Sequence, residues 1–265
     1  DTLLSLESLN VRVQAWPLLK GKVEVDEVTL SQVAVNSANL IEGMQIKGVL
    51  GRFFLQSHGV DLSNETAVVN RTELSDTHIQ LLMTDTTTTP KDTTASAPVN
   101  WKVNLHQLKL KNVSFGMKLP ADSMKVAAYI GEATIDDAKA DLKNQFYGLK
   151  QFLLSGASAS YDTGEAQPSE GFDASHMAVR NIRIGLDSLL YEGRNMNAVI
   201  REITMEERSG LSITSLTGRL FSNDSIIRIP ELKLQTPHSE IDLSAQTYWE
   251  LVNIQTTGRL SASFN

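Results

Sequence analysis

Residues 23–30 carry a pattern that recurs along the chain and limits the folds open to it. Two apolar residues alternate with polar ones, a polar pair follows, and the alternation resumes, as in Val23, Val25, Val28 and Leu30. Alternation with a period of two predicts a β-strand with one apolar face. The same template recurs at Leu4/Leu6/Leu9/Val11, Val103/Leu105/Leu108/Leu110, Tyr147/Leu149/Phe152/Leu154, Met177/Val179/Ile182/Ile184, Ala198/Ile200/Ile203/Met205 and Ile227/Ile229/Leu232/Leu234. After residue 100 the copies begin roughly 20 to 50 residues apart, which indicates a repeated structural unit.

The polar pair in the middle of the template shifts the alternation by one position. Because three steps separate Val25 from Val28, the second apolar pair of a straight strand would point to the opposite face. A β-bulge, or a corner between two short strands, would keep both pairs on one side and bend the sheet. Sustained helical periodicity is missing from the sequence, and most gaps between strands are too short for helical crossovers. The prediction is an all-β fold with an elongated, curved, mostly antiparallel sheet and few short helical turns, one of them at 16–21; a β-sandwich with bulged strands is the alternative.

Composition excludes several classes of function. The net charge is −7 and the chain has no run of Lys or Arg, which argues against a nucleic-acid partner. The absence of cysteine excludes disulfides, thiolate metal sites and a Cys nucleophile. Apolar runs are only a few residues long, far short of the roughly 18 to 20 that span a bilayer. Since the sequence has no initiator Met and stops within a strand-like pattern, we expect a segment of a longer protein, with any membrane anchor outside it.

A Thr-rich stretch divides the chain. Residues 84–98 have no apolar period and predict a mobile linker or loop, between an N-terminal β segment at 1–83 and a main β-groove segment at 99–265. The Asp-Thr-Thr tripeptides at 85–87 and 92–94 also fit a bacterial O-glycosylation pattern. Elsewhere we expect short strands at 53–57, 60–62, 67–70 and 77–83, a strand rather than a helix at 125–141, and a polar loop at 164–175.

Catalytic and metal-binding motifs are missing from the sequence. The five histidines are His58, His78, His106, His176 and His238, and none lies three or four residues from another, as a two-ligand zinc motif would require. His106 occupies a polar step of the template and is expected to face solvent. Adjacent carboxylates, as at 136–137 and 206–207, would point to opposite faces of a strand and could not flank one bond. We therefore predict a protein that is not an enzyme and uses no metal or cofactor.

The apolar face must be covered by a second sheet, a helix or a ligand. If the sheet curls on itself, its inward side chains line an apolar trough. Acyl chains suit such a trough, because each buried methylene contributes roughly 0.8 kcal/mol without directional demands and a polar headgroup can stay in water. The candidates for the trough wall are Val23, Val25, Val28, Leu30, Leu105, Leu108, Ile182, Ile184, Ile203, Leu232 and Leu234.

Several phrases of the sequence resemble a known family. The opening Asp-Thr-Leu-Leu-Ser-Leu at 1–6, with Pro-Leu-Leu-Lys-Gly-Lys-Val-Glu-Val at 17–25 and Val-Thr-Leu at 28–30, is similar to the N-terminal part of AsmA-like proteins. Glu-Arg-Ser-Gly-Leu at 207–211 and Leu-Gln-Thr-Pro-His-Ser-Glu-Ile at 234–241 resemble the TamB branch as found in Bacteroidetes. The resemblance implies a U-shaped β-groove with an apolar interior, in a periplasmic protein anchored at the inner membrane.

The function that the resemblance implies is phospholipid transport between the inner and outer membranes and outer-membrane biogenesis. Its partners would be phospholipid acyl chains, together with an inner-membrane anchor and an outer-membrane partner reached through other parts of the parent chain. A scaffold for outer-membrane proteins, whose sheet edges pair with client strands, is the alternative. A carbohydrate-binding sandwich would need exposed aromatic platforms, and 3 Trp, 5 Tyr and 8 Phe, mostly isolated, argue mildly against it.

Overall fold

A computed structural model describes residues 3–14, 25–37, 43–61, 64–83, 100–120, 123–164, 167–249 and the backbone of 256–264. The chain forms fourteen strands: β1 (Leu4–Val13), β2 (Val25–Asn36), β3 (Met44–Asp61), β4 (Thr66–Met83), β5 (Lys102–Leu119), β6 (Met124–Asp141), β7 (Phe146–Leu149), β8 (Gln151–Asp162), β9 (His176–Glu192), β10 (Asn195–Glu207), β11 (Ser212–Ser222), β12 (Ile226–Thr236), β13 (Ser239–Tyr248) and β14 (Thr256–Phe264). Within these ranges there is no helix long and apolar enough to cross a membrane.

All fourteen strands belong to one sheet, and they follow each other across it in chain order. The short strands β7 and β8 share one position between β6 and β9. Every pairing is antiparallel except β4 with β5, which run parallel from Thr66 opposite Lys102 to Leu82 opposite Lys118. The prediction of an all-β, mostly antiparallel sheet is therefore confirmed, and the described strands do not form a second sheet of a sandwich.

Several local predictions can be compared with the strands. The expected strand at 125–141 is β6, and the polar loop expected at 164–175 separates β8 from β9. The separate short strands expected between 53 and 83 are wrong, because they are parts of β3 and β4, which run for 18 residues each. The helical turn at 16–21 and the linker at 84–98 lie outside the described residues, while the sheet itself continues from β4 to β5.

Residues in the left-handed backbone conformation occur where the polar pairs shift the alternation of apolar and polar residues. Asn112 has a φ of 52° and lies between Leu110 and Val113, so it occupies a polar pair between two apolar residues. Neighbouring strands carry equivalent residues at the same level, which are Gln32 (φ 49°), Asp76 (φ 51°) and Gly156 (φ 62°), and Asn181 (φ 54°) follows on β9 one register shift further along. Asn112 Nδ2 donates a hydrogen bond to Asp76 Oδ1 across 2.8 Å. These residues form a corner line across β2 to β9, and the strands bend there without losing their partners.

A second corner line passes through β5 and β6 at the polar pairs near His106 and Asp137. Asp137 has a φ of 49°, and its carboxylate lies 3.2 Å from His106 Nδ1 and 3.7 Å from Lys150 Nζ. The hydrogen bond with His106, helped by the charge of Lys150, lowers the pKa of Asp137. The His106 side chain is 62% exposed, which confirms that it faces solvent. Further along the sheet, β10 and β12 accommodate their polar pairs through register shifts, as at Ile229 and Leu232.

Replacing Asn112 with Val is expected to destabilise the protein by about 1–2 kcal/mol. A β-branched side chain is costly in the left-handed region, and the hydrogen bond to Asp76 is lost as well. Urea unfolding measures the change. Lys111→Val is the control, because it places the same side chain on the adjacent exposed residue, and it should change stability by less than about 0.5 kcal/mol. Equal losses in the two variants would contradict the assignment of the corner to Asn112.

The sheet has almost no enclosed core. Among the described apolar residues only Ala67, Ala133 and Ala157 are buried, and the larger side chains of the apolar face remain partly accessible. The apolar face is thus not covered by a second layer formed from the described residues.

Candidate functional site

Two unbroken rows of register partners cross the sheet from β1 to β13. The first row consists of Leu9, Leu30, Phe53, Leu74, Leu110, Ala133, Leu154, Ile184, Ile203, Leu216, Leu234 and Ile241. The second row consists of Val11, Val28, Leu55, Thr72, Leu108, Ile135, Phe152, Leu186, Ile200, Gly218, Leu232 and Leu243. Every member of the first row is apolar, and only Thr72 and Gly218 interrupt the aliphatic and aromatic side chains of the second.

The two rows share one face of the sheet. Leu108 and Leu110 are two residues apart on β5, so their side chains point the same way. With twelve strands at about 4.8 Å spacing, each row extends for roughly 50 Å. Neither row contains a charged residue. We call the surface formed by both rows the apolar face.

Most of the sequence candidates meet on the apolar face. Those in its first row are Leu30, Ile184, Ile203 and Leu234, and those in its second row are Val28, Leu108 and Leu232. The remaining described candidates lie in the next levels of the sheet, where Val25 is opposite Val13, Leu105 is opposite Val69 and Ala138, and Ile182 is opposite Ala157. Val23 lies outside the described residues.

The sequence candidates omitted β3 and β4, which contribute Phe53, Leu55 and Leu74 to the rows. The sequence pattern of β3 could have predicted this contribution, since Phe53 and Leu55 alternate as the template requires. On β3, however, the polar pair is replaced by Gly51 and Arg52, so the repeat was harder to see.

The side chains of the two rows are partly buried by the side chains of adjacent strands in the same sheet. Leu108 and Leu110 are half-buried on a central strand, whereas Leu9 on the edge strand β1 is 55% exposed. The difference follows from the number of flanking strands, two for β5 and one for β1. A ligand lying on the apolar face could therefore still remove apolar surface from water along its whole length.

Carboxylates next to each other in sequence have separate partners. Glu206 accepts hydrogen bonds from Arg180 and Asn181, each at 3.0 Å, whereas Glu207 accepts from the Ser209 amide at 2.6 Å. These hydrogen bonds lower the pKa of both carboxyl groups. Each carboxylate is thus held as an anion by its own set of donors, although both residues contribute to the lining of one cavity. Within the described ranges, no group of three or more His, Asp or Glu side chains is arranged to hold a metal ion.

A cavity of about 1120 Å³ lies away from the apolar rows. Its lining comes from eight strands, β3 to β6 and β8 to β11, at the end of the sheet that holds Lys47, Lys118 and Ser212. None of the ten described sequence candidates lines it. Of these candidates, Leu232 lines a smaller hollow of about 320 Å³ beside Asp242 and Lys233.

The loop between β8 and β9 is organised by one carboxylate. Asp173 accepts hydrogen bonds from the amides of Ser169 and Ser175, both at 3.0 Å, and lies 3.0 Å from Nδ1 of the buried His176. The two amide donors, with His176 and the Ser169 hydroxyl, hold the pKa of Asp173 well below its usual value of 3.8. The ionised carboxylate thus fixes the loop that leads into β9.

The depressed pKa of Asp173 makes its contribution dependent on pH. A carboxyl group whose pKa is lower in the folded state stabilises that state above the unfolded pKa, and this stabilisation is lost as pH falls toward the folded pKa. Asp173→Asn should therefore be less stable than the native chain at pH 7, and the difference should shrink as pH falls below about 4. Urea unfolding at a series of pH values measures both. A difference that stays constant down to pH 3 would exclude this role.

Comparison with protein-family models and with curated proteins gave no match. The arguments for function therefore rest on the geometry of the sheet and on the residues that form it.

Proposed function

We propose that the apolar face binds the acyl chains of phospholipids and carries them between the inner and outer membranes of a cell envelope. The single observation that carries the proposal is the pair of uncharged rows, twelve strands wide, which no second layer of described residues covers. Exposed apolar surfaces of this extent mark binding sites in soluble proteins. The corner lines bend β2 to β9 at the polar pairs, so that the apolar pairs on either side can face one trough.

Acyl chains fit the dimensions and the chemistry of the rows. One acyl chain spans about 15 Å, half of a bilayer core of roughly 30 Å, so a row of about 50 Å has room for several chains. Each methylene removed from water contributes roughly 0.8 kcal/mol. Because the rows offer no directional polar group, they would accept chains of different length, and the headgroup would remain in solvent.

The envelope location rests on the resemblance to AsmA-like proteins and the TamB branch. In that setting the chain works in the periplasm as a segment of an inner-membrane-anchored protein. Anchoring and contact with an outer-membrane partner would be supplied by other parts of that protein. The segment itself acts without catalysis, cofactor or metal.

Native mass spectrometry of the purified chain, followed by solvent extraction, tests the proposal. We expect phospholipid or fatty acid to accompany the protein, and lipid-free protein to take up phospholipid from vesicles. A lipid-free mass that persists after incubation with vesicles would overturn it.

A scaffold that binds client strands is the second candidate, and the edge strand β1 favours it. All ten residues of β1 are exposed, and β1 pairs only with β2, so one side of its backbone has no described strand beside it. Leu4 and Leu9, at 59% and 55% exposure, would be covered by an added strand. Such edges pair readily with other chains.

Cysteine cross-linking distinguishes the two candidates, because the natural chain has no cysteine. A scaffold should cross-link to nascent outer-membrane proteins from Ser8→Cys on β1 and not from Ser188→Cys on the central strand β9. Cross-links to lipid from the rows, with none to protein from β1, would instead favour transport.

A further inference from the structure

The cavity of about 1120 Å³ is a second binding region, which shares no lining residue with the two rows of the apolar face. Gln45 and Lys47 line it while Ile46 between them does not, and Ser160 and Asp162 line it while Tyr161 does not. At 114–118, 125–129 and 178–180, by contrast, successive residues all line it, so both polar and apolar positions of these strands contribute. Its volume lies slightly above the roughly 300–1,000 Å³ that is usual for small-molecule sites.

The lining of this cavity has the opposite sign of charge from the whole chain. Its basic side chains are Lys47, Lys118, Lys125, Arg180 and Arg208, and its acidic ones are Asp162, Glu206 and Glu207. Five basic against three acidic groups give a net charge of +2, whereas the chain carries −7. A concave surface that is positive in an acidic protein attracts anions.

Three lysines of the lining are free to meet such an anion. Glu206 is engaged by Arg180, and Glu207 by backbone amides, but Lys47, Lys118 and Lys125 form no ion pair within the described residues. Lys118 and Lys125 are direct register partners on β5 and β6. Like charges placed opposite each other destabilise a sheet, and an anion bound between them would remove that cost.

The rest of the lining is a mixture of hydroxyl and apolar groups. Ser158 and Ser160 supply hydroxyls that can donate to an oxyanion, while Ala127 and Tyr129, a residue that is 39% exposed, offer apolar surface. Asp162 lies opposite Lys125 on β8, whereas Lys118 lies opposite Lys125 on β5. An anion between the two lysines therefore competes with a carboxylate for Lys125 only from the side of β8. We infer that the cavity binds a phosphate ester with an apolar body, whose phosphate lies between Lys118 and Lys125. Lysine is a common phosphate ligand in proteins.

Isothermal titration with n-hexyl phosphate, inorganic phosphate and hexanol tests the site on the full chain. Hexyl phosphate should bind saturably, hexanol should not, and the double variant Lys118→Gln/Lys125→Gln should weaken binding at least tenfold. The matched control is Lys109→Gln/Lys111→Gln, which removes two exposed charges from β5 outside the cavity and should leave the affinity within twofold. Inorganic phosphate that binds as tightly as hexyl phosphate would support the site and assign it to free phosphate.

Two results would overturn the inference. One is an absence of saturable binding, and the other is an equal loss of affinity in the two double variants, which would indicate nonspecific attraction. The inference is independent of the proposed transport function, because a change on the apolar face such as Leu108→Asp should leave hexyl phosphate binding intact.

Discussion

Leu108→Asp is expected to reduce the lipid bound to the purified protein at least tenfold while the sheet stays folded. Leu108 lies in the second apolar row on the central strand β5, between Thr72 and Ile135. In the lipid-free protein its position is only half-buried, so an aspartate there keeps contact with water. An acyl chain covering it would strip that water from an unpaired carboxylate, which costs several kcal/mol.

The matched control for this variant is Asn104→Asp. It adds the same charge to the same strand, at an exposed residue on the other face. Bound lipid should be unchanged in the control, as counted by native mass spectrometry and extraction. Far-UV circular dichroism and urea unfolding should show that both variants fold. If Leu108→Asp still carried lipid at the native level, the apolar face would not be the binding surface.

Alternation in the sequence was sufficient to predict the fold class and the shared face of most candidates. Leu108 and Leu110, or Ile182 and Ile184, follow from a period of two alone. The sequence also indicated that the backbone must change direction at each polar pair to keep the apolar residues on one face. It did not decide between a β-bulge and a corner between two short strands. Asn112 and Asp76 are residue types that tolerate the left-handed conformation, so these two positions could have been proposed as corners from the sequence. Gln32 adopts the same conformation, but glutamine has no such preference.

Other features depend on pairings between distant residues and could not be read from local patterns. The parallel pairing of β4 with β5 joins residues 36 positions apart, such as Thr66 and Lys102. The cavity is likewise assembled from eight strands, so that Lys47 and Ser212 meet only once the sheet is formed. The continuity of the apolar rows has the same origin, since each row takes one residue from each strand.

Gly51→Ala is expected to destabilise the sheet, because a methyl group added there meets the backbone of β4. A Cβ at Gly51 would lie 2.7 Å from both the Cβ and the carbonyl oxygen of Asp76, and 3.0 Å from the carbonyl oxygen of Ser75. Two of these three neighbours are backbone atoms of β4, so they cannot turn away as a flexible side chain would. The strands must separate locally at the corner line, where Asp76 is also held by Asn112.

The cost of this separation is expected to be about 1–3 kcal/mol, the usual range for overpacking. Gly116→Ala on β5 is the control, because its Cβ would meet only the Cγ of Gln80 at an ordinary 3.8 Å. That variant should be neutral or slightly stabilising, since alanine loses less backbone entropy than glycine on folding. The urea concentrations at the unfolding midpoint compare the stabilities of the two variants, provided that the dependence of the unfolding free energy on urea concentration is the same in both. A Gly51→Ala protein as stable as Gly116→Ala would mean that β3 and β4 do not approach each other this closely at the corner, and the continuous bend of the apolar face would then lose its support at that strand pair.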